Sequence, residues 1–272
     1  MPGREPDVTA PAAASQAASP GVRLDRDGPV ATVTLCNPET LNPQTPALWL
    51  RLREIGRELP GDVRVVVVRG EGRAFSAGLD KSALTGQPLD GGMSFPEMAK
   101  LPGEELERLI ASYQEGFGWL RRPDVVSVAA VQGHAVGAGF QLALACDLRV
   151  VADDVKFSMA EIRLGLVPDL GGTKRLVELV GYARALELCL TARRVEADEA
   201  YRTGLASLVV SRDALDSTVA DLASALVAAP HGAVSEIKAL IGVAAGHSYP
   251  EQEAAERAAQ ARRIRDLADL GE

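Results

Sequence analysis

The chain has 272 residues, 47% of them hydrophobic, and a net charge of −8. That is enough chain to bury a substantial core, most simply as one domain with an appendage. Its acidity disfavours general affinity for nucleic acid while leaving room for a local basic patch.

Residues 1–20, MPGREPDVTAPAAASQAASP, are rich in Ala, Pro and Ser and lack the uninterrupted apolar core of a secretory signal, so a disordered extension is expected. VATVTL (30–35) alternates and is β-branched, which predicts a strand ending at the Asn-Pro turn of residues 37–38. ALWLRLREIGREL (47–59) has helical spacing, and VRVVVVRG (63–70) is a near-continuous apolar strand of the kind buried on both faces. Residues 81–103 are punctuated by Gly and Pro and poorly periodic; a helix follows to about Arg122. VVSVAAVQG (125–133) reads as another buried strand, 139–146 as a helix and LRVVAD (148–153) as a strand. Strands alternating with helices in this way argue α/β with parallel connections. Beyond about residue 180 the pattern is helical, interrupted by the short strand ASLVV (206–210), and a helical end on an α/β core suits assembly. The charges of its last segment read as a solvated face.

Cys36, Cys146 and Cys189 are isolated in apolar contexts, which suits reduced core cysteines and a cytoplasmic location. The three histidines lie far apart, so no metal site is expected. No run reaches about eighteen apolar residues, so no membrane span is expected either.

Two glycine turns could pass for phosphate cradles. GHAVGAG (133–139) lacks the third glycine of G-x-G-x-x-G, because position 142 is Leu, and GLVPDLGGTKRL (165–176) lacks P-loop spacing. What GRAFSAGLD (72–80) and GHAVGAGFQ (133–141) share is a small residue and a glycine just past a buried strand. There, backbone N–H groups are left unpaired at the sheet edge where ligands bind. Two convergent N–H donors, the second at a helix start, can stabilise an oxyanion. One such loop is equally well a tight turn that needs glycine; two in series favour the donor pair.

In order and spacing, GRAFSAGLD, GHAVGAGFQLALACDLRVVADD and FSMAEIRLGLVPDLGGTKRL resemble consecutive signatures of the enoyl-CoA hydratase/isomerase, or crotonase, family, over roughly residues 22–270. The resemblance implies a spiral of β-β-α repeats in 21–205 and a mainly helical region in 206–272 that packs homotrimers, often paired into hexamers. It implies an acyl-CoA thioester as substrate, with coenzyme A belonging to that substrate and no separate cofactor. The thioester oxygen would sit between the backbone N–H groups of Leu79 and Ala138. Arg73, Ala77 and Lys81 match positions that contact CoA, although surface solvation accounts equally well for either cation.

By the same match, hydratases carry two glutamates, at the positions of Gln141 and Glu161. These two lie twenty residues apart, the hydratase spacing, so the glutamine is a true substitution. An amide can orient water but cannot exchange a proton near neutral pH. Asp169, eight residues after Glu161, matches a catalytic Asp of dienoyl-CoA isomerases and of hydroxyisobutyryl-CoA hydrolases; its other reading is a helix N-cap. Glu161 with Asp169 points first to double-bond isomerisation of enoyl- or dienoyl-CoA. Hydration by Glu161 with Gln141 holding the water, thioester hydrolysis, and acyl-CoA binding without turnover remain open.

Overall fold

The computed structural model describes residues 20–86 and 92–269, so most of the expected N-terminal extension (1–20) lies outside the described residues. The chain is built in repeated units. β1 (Val22–Asp27) and β2 (Val30–Leu35) form an antiparallel hairpin, and the short β3 (Pro43–Gln44) and α1 (Pro46–Glu58) complete the first unit. The order long strand, short strand, helix then recurs. The second unit is β4 (Val65–Gly70), β5 (Gly78–Leu79) and the helices α2 (Phe95–Met98) and α3 (Gly103–Gly118). The third is β6 (Val126–Val131), β7 (His134–Val136) and α4 (Ala138–Ala145). The fourth is β8 (Leu148–Ala152), β9 (Lys156–Ser158) and α5 (Gly172–Val180). Then come α6 (Tyr182–Thr191), β10 (Val195–Glu196), α7 (Ala197–Arg202), β11 (Leu208–Val210), α8 (Leu215–Ala228), α9 (His231–Ala244) and α10 (Tyr249–Asp269).

The long strands make one sheet in the order β1-β2-β4-β6-β8-β11, parallel everywhere beyond the first hairpin. The short strands pair separately, as β3-β5 and as β10-β9-β7. The valine run of β4 shows why its apolar pattern is continuous. Val66 and Val68 point into a core with Leu52, Ile55 and Phe117, whereas Val65 and Val67 point the other way, toward Leu215, Val219 and Ala223 of α8. A parallel strand covered on both faces has no solvent side to mark with polar residues.

In α1, Thr45 caps the first turn by accepting the Leu48 N–H at 3.2 Å, with Pro46 next in the chain. Leu48, Trp49, Leu52 and Ile55 then fall on one buried stripe. The poorly periodic stretch after residue 81 hides α2, a single turn whose start is fixed by a Ser94–Glu97 capping box. The helix expected to reach Arg122 ends at Gly118 and tightens into a 3-10 turn over Trp119–Arg121. Toward the C-terminus, α9 is tied to the core by Lys238, whose ammonium meets the Asp147 carboxylate at 2.7 Å and the Val125 carbonyl at 2.6 Å. Among the described residues no single helix is long and apolar enough to cross a membrane.

Candidate active site

The site begins with backbone. β5 runs beside β3, where the Asp80 N–H donates to the Gln44 carbonyl at 2.8 Å. Successive N–H groups of an extended chain point to opposite edges, so the Leu79 N–H is directed away from β3. On that other edge lies the turn from β7 into α4. A Cβ added to Gly78 would stand 2.3 Å from the Val136 carbonyl oxygen and 3.6 Å from the Ala138 nitrogen, and Gly78 has φ +86°. Only glycine lets the strand pass this close in this conformation. Ala138 is the first residue of α4, so its N–H has no acceptor within the helix. Leu79 and Ala138 both line one cavity of about 680 Å³.

Into the same cavity comes the 3-10 turn over Glu161–Leu164. Glu161 is 9% exposed. Its Oε1 accepts a hydrogen bond of 2.7 Å from Gln141 Nε2, while its Oε2 is buried without a partner. Burial raises its pKa above the ordinary carboxylate value; its own backbone N–H and Gln141 oppose the rise, and the charge of Asp169 adds to it.

The Gln141 amide is engaged at both ends. Its Oε1 accepts the backbone N–H groups of Leu170 at 2.9 Å and Gly172 at 3.2 Å. This fixes which end of the amide is which, and it braces the turn carrying Asp169. That turn is further held by Gln114, whose Nε2 donates to the Asp169 carbonyl at 2.7 Å. The Asp169 side chain is half-buried on the cavity wall, and burial raises its pKa too. It does not cap α5, whose N-cap position is Gly171. The remaining wall is mostly apolar, with Trp49, Phe95, Met98, Leu106, Ile110 and Tyr113 from the first two units, and the cations Lys81 and Arg163 also line it.

Two backbone N–H groups, one on β5 and one at the start of α4, a buried carboxyl with an unpartnered oxygen and a mostly apolar chamber therefore border one space. The sequence model for enoyl-CoA hydratase/isomerase matches residues 25–266. The chain belongs to the enoyl-CoA hydratase/isomerase family. Its fold is the crotonase fold and it is an enzyme of that family. A structure described as a candidate enoyl-CoA hydratase from Thermobifida fusca YX, in complex with CoA, is 46% identical, with a TM-score of 0.88 over 92% of this chain and 95% of that one. The same protein has been solved with acetoacetyl-CoA. A Mycobacterium bovis protein named as a probable enoyl-CoA hydratase is 34% identical over 71% of this chain and 70% of its own length. A peroxisomal Δ(3,5)-Δ(2,4)-dienoyl-CoA isomerase of Arabidopsis thaliana is 35% identical over 66% and 64%.

In this hydratase/isomerase-family chain the positions singled out in the sequence mostly converge. Leu79, Ala138, Gln141, Glu161, Asp169, Ala77 and Lys81 all line the cavity, whereas Arg73 stands exposed outside its walls. Two residues of consequence gave no signal. Asn42 is buried, and its Nδ2 donates to the carbonyls of Glu71, Ala74 and Phe75 at 2.9–3.2 Å, shaping the loop that leads to Leu79. Trp49 reads as a core residue of an amphipathic helix, yet it also forms cavity wall.

Proposed function

We propose that the protein is an acyl-CoA double-bond isomerase acting on 3-enoyl- or 3,5-dienoyl-CoA. The observation that carries this is the commitment of Gln141: with its amide bonded at both ends, Glu161 and Asp169 are the carboxyl groups left on the cavity wall to exchange protons. Glu161 removes a proton from the carbon beside the thioester carbonyl. The electron pair moves onto the carbonyl oxygen, where the Leu79 and Ala138 N–H groups stabilise it; a donor of this kind is worth about 3–4 kcal/mol of barrier. The resulting enolate, a dienolate from a 3-enoyl thioester and a trienolate from a 3,5-dienoyl one, takes a proton farther along the chain and the thioester re-forms with its double bonds shifted. In a one-position shift Glu161 returns the proton it took. In a dienoyl shift the Asp169 carboxyl supplies it, and both groups re-equilibrate with solvent between turnovers. No atom is gained or lost.

CoA thioesters as substrates are supported by the complexes of the Thermobifida fusca relative with CoA and acetoacetyl-CoA. The proposal includes no separate cofactor, a cytoplasmic enzyme, and three or six copies associated through the region 206–272. The test follows double-bond migration in 3-enoyl- and 3,5-dienoyl-CoA with the wild type, Glu161→Gln and Asp169→Asn. Full activity in Glu161→Gln would overturn the assignment. Hydration is the second reading, favoured by the hydratase names of the relatives. Useful hydration of crotonyl-CoA by the wild type, with no double-bond migration in 3-enoyl-CoA, would replace the isomerase by a hydratase. Release of free CoA thiol would replace both by a hydrolase.

A further inference from the structure

A chain of buried side chains runs from the acyl cavity to the strand that carries Leu79, and the proton chemistry does not use it. Trp49 forms cavity wall on one side and on the other donates its Nε1–H to Gln44 Oε1 at 2.8 Å. Gln44 Nε2 donates to Ser76 Oγ at 3.3 Å. The Ser76 hydroxyl donates to the Asn42 carbonyl at 2.7 Å and accepts the backbone N–H of Gly78 at 3.1 Å. Gln44 and Ser76 are fully buried, so each bond in the chain replaces a solvent contact that cannot be recovered.

Ser76 also touches the second donor's backbone. Its carbonyl accepts the Val136 N–H at 3.0 Å. A Cβ on Gly139, in the first turn of α4, would lie 2.7 Å from Ser76 Cβ and 2.8 Å from its carbonyl oxygen. One residue therefore spaces β5 from the start of α4, and the hydrogen bonds of its hydroxyl depend on Gln44, which depends in turn on Trp49.

We infer that Ser76, Gln44 and Trp49 are positioning residues that set the separation and direction of the Leu79 and Ala138 N–H groups, and that Trp49 ties this setting to the filling of the acyl cavity. The inference rests on Leu79 and Ala138 being the oxyanion donors. Trp49→Phe keeps an aromatic ring in the wall and removes the N–H; Ser76→Ala removes the hub.

The experiment uses the full chain and a saturated probe, hexanoyl-CoA carrying a 13C label at the thioester carbonyl, whose stretch is read by infrared difference spectroscopy. Kinetics with 3-hexenoyl-CoA run alongside. The wild type is expected to lower the carbonyl frequency on binding. Both variants lose most of that shift, and kcat falls about five- to tenfold with KM changed less than about twofold. A packing role alone would leave the carbonyl frequency where it is in the wild type. Should Ser76→Ala not fold, Trp49→Phe decides. An undiminished shift in folded Trp49→Phe overturns the positioning role and leaves the donors in place. No shift in the wild type overturns the donors themselves, and the positioning role with them. The spectrum needs no turnover, so it decides even if the isomerase assignment fails.

Discussion

Glu161 carries opposite consequences for catalysis and for stability. To act as the proposed base it must be ionised, and burial holds its pKa above the ordinary carboxylate value. The acidic limb of kcat/KM is therefore expected above the usual glutamate range of about 4.3, and it should vanish in Glu161→Gln. That variant should lose about 10²–10⁴-fold in double-bond migration with KM little changed. For stability the sign reverses. A carboxyl whose folded pKa is raised binds more protons folded than unfolded, so its contribution is best at low pH and declines as pH rises through the raised value. Thermal melts at neutral pH should accordingly show Glu161→Gln at least as stable as the wild type; a large drop in Tm would contradict the burial cost. Gln141→Glu tests the neighbour. The Leu170 and Gly172 N–H groups would donate to a carboxylate oxygen as readily as to the amide oxygen, bringing a second negative charge beside Glu161. Like charges so close cannot both ionise easily, so the acidic limb of the pH–rate profile should move upward and crotonyl-CoA hydration should rise. An unmoved limb would mean that the new carboxylate does not sit beside Glu161.

Among the elements, the turn into α5 is tightly packed against Gln141. A Cβ on Gly172 would stand 2.7 Å from Gln141 Cγ and 2.9 Å from its Oε1, so Gly172→Ala must push Gln141 off the backbone N–H groups that donate to it. We expect at least a tenfold loss of kcat in steady-state assays, with circular dichroism near that of the wild type. Elements of this kind also mark the limit of the sequence. The long strands were legible because four consecutive valines or VATVTL leave few alternatives, and the donor loops because glycine recurs at strand ends. β3, β5, β7, β9 and β10 have only two or three residues each, too few for any period to emerge. They are nonetheless what positions the proposed donors. The chamber wall that α2 contributes leaves little trace in the sequence, since α2 has four residues and its capping box is shared with ordinary loops. The dual duty of Trp49 was invisible for a simpler reason: a residue buried against protein and one buried against ligand look alike in a helical stripe.

For the molecule as a whole, the cavity walls run from Trp49 to Leu170, and none comes from α8, α9 or α10 of the same chain. α9 and α10 instead leave Ile237, Ile241, Tyr249 and Ile264 exposed. If copies associate through this region, light scattering after gel filtration should give three or six chain masses for the wild type and a smaller species for Ile241→Glu. The spiral also divides labour. The second unit supplies most of the apolar wall between β5 and the end of α3, the third and fourth supply Ala138, Gln141, Glu161 and Asp169, and Leu79 sits where they meet. Side chains can therefore change at Phe95, Met98, Leu106 and Ile110 without replacing Gln141, Glu161 or Asp169. The consequence is evolutionary: apart from Trp49, which belongs to the first unit, the wall that meets an acyl chain and the carboxyl groups proposed to act on it lie on separate units and are open to separate change.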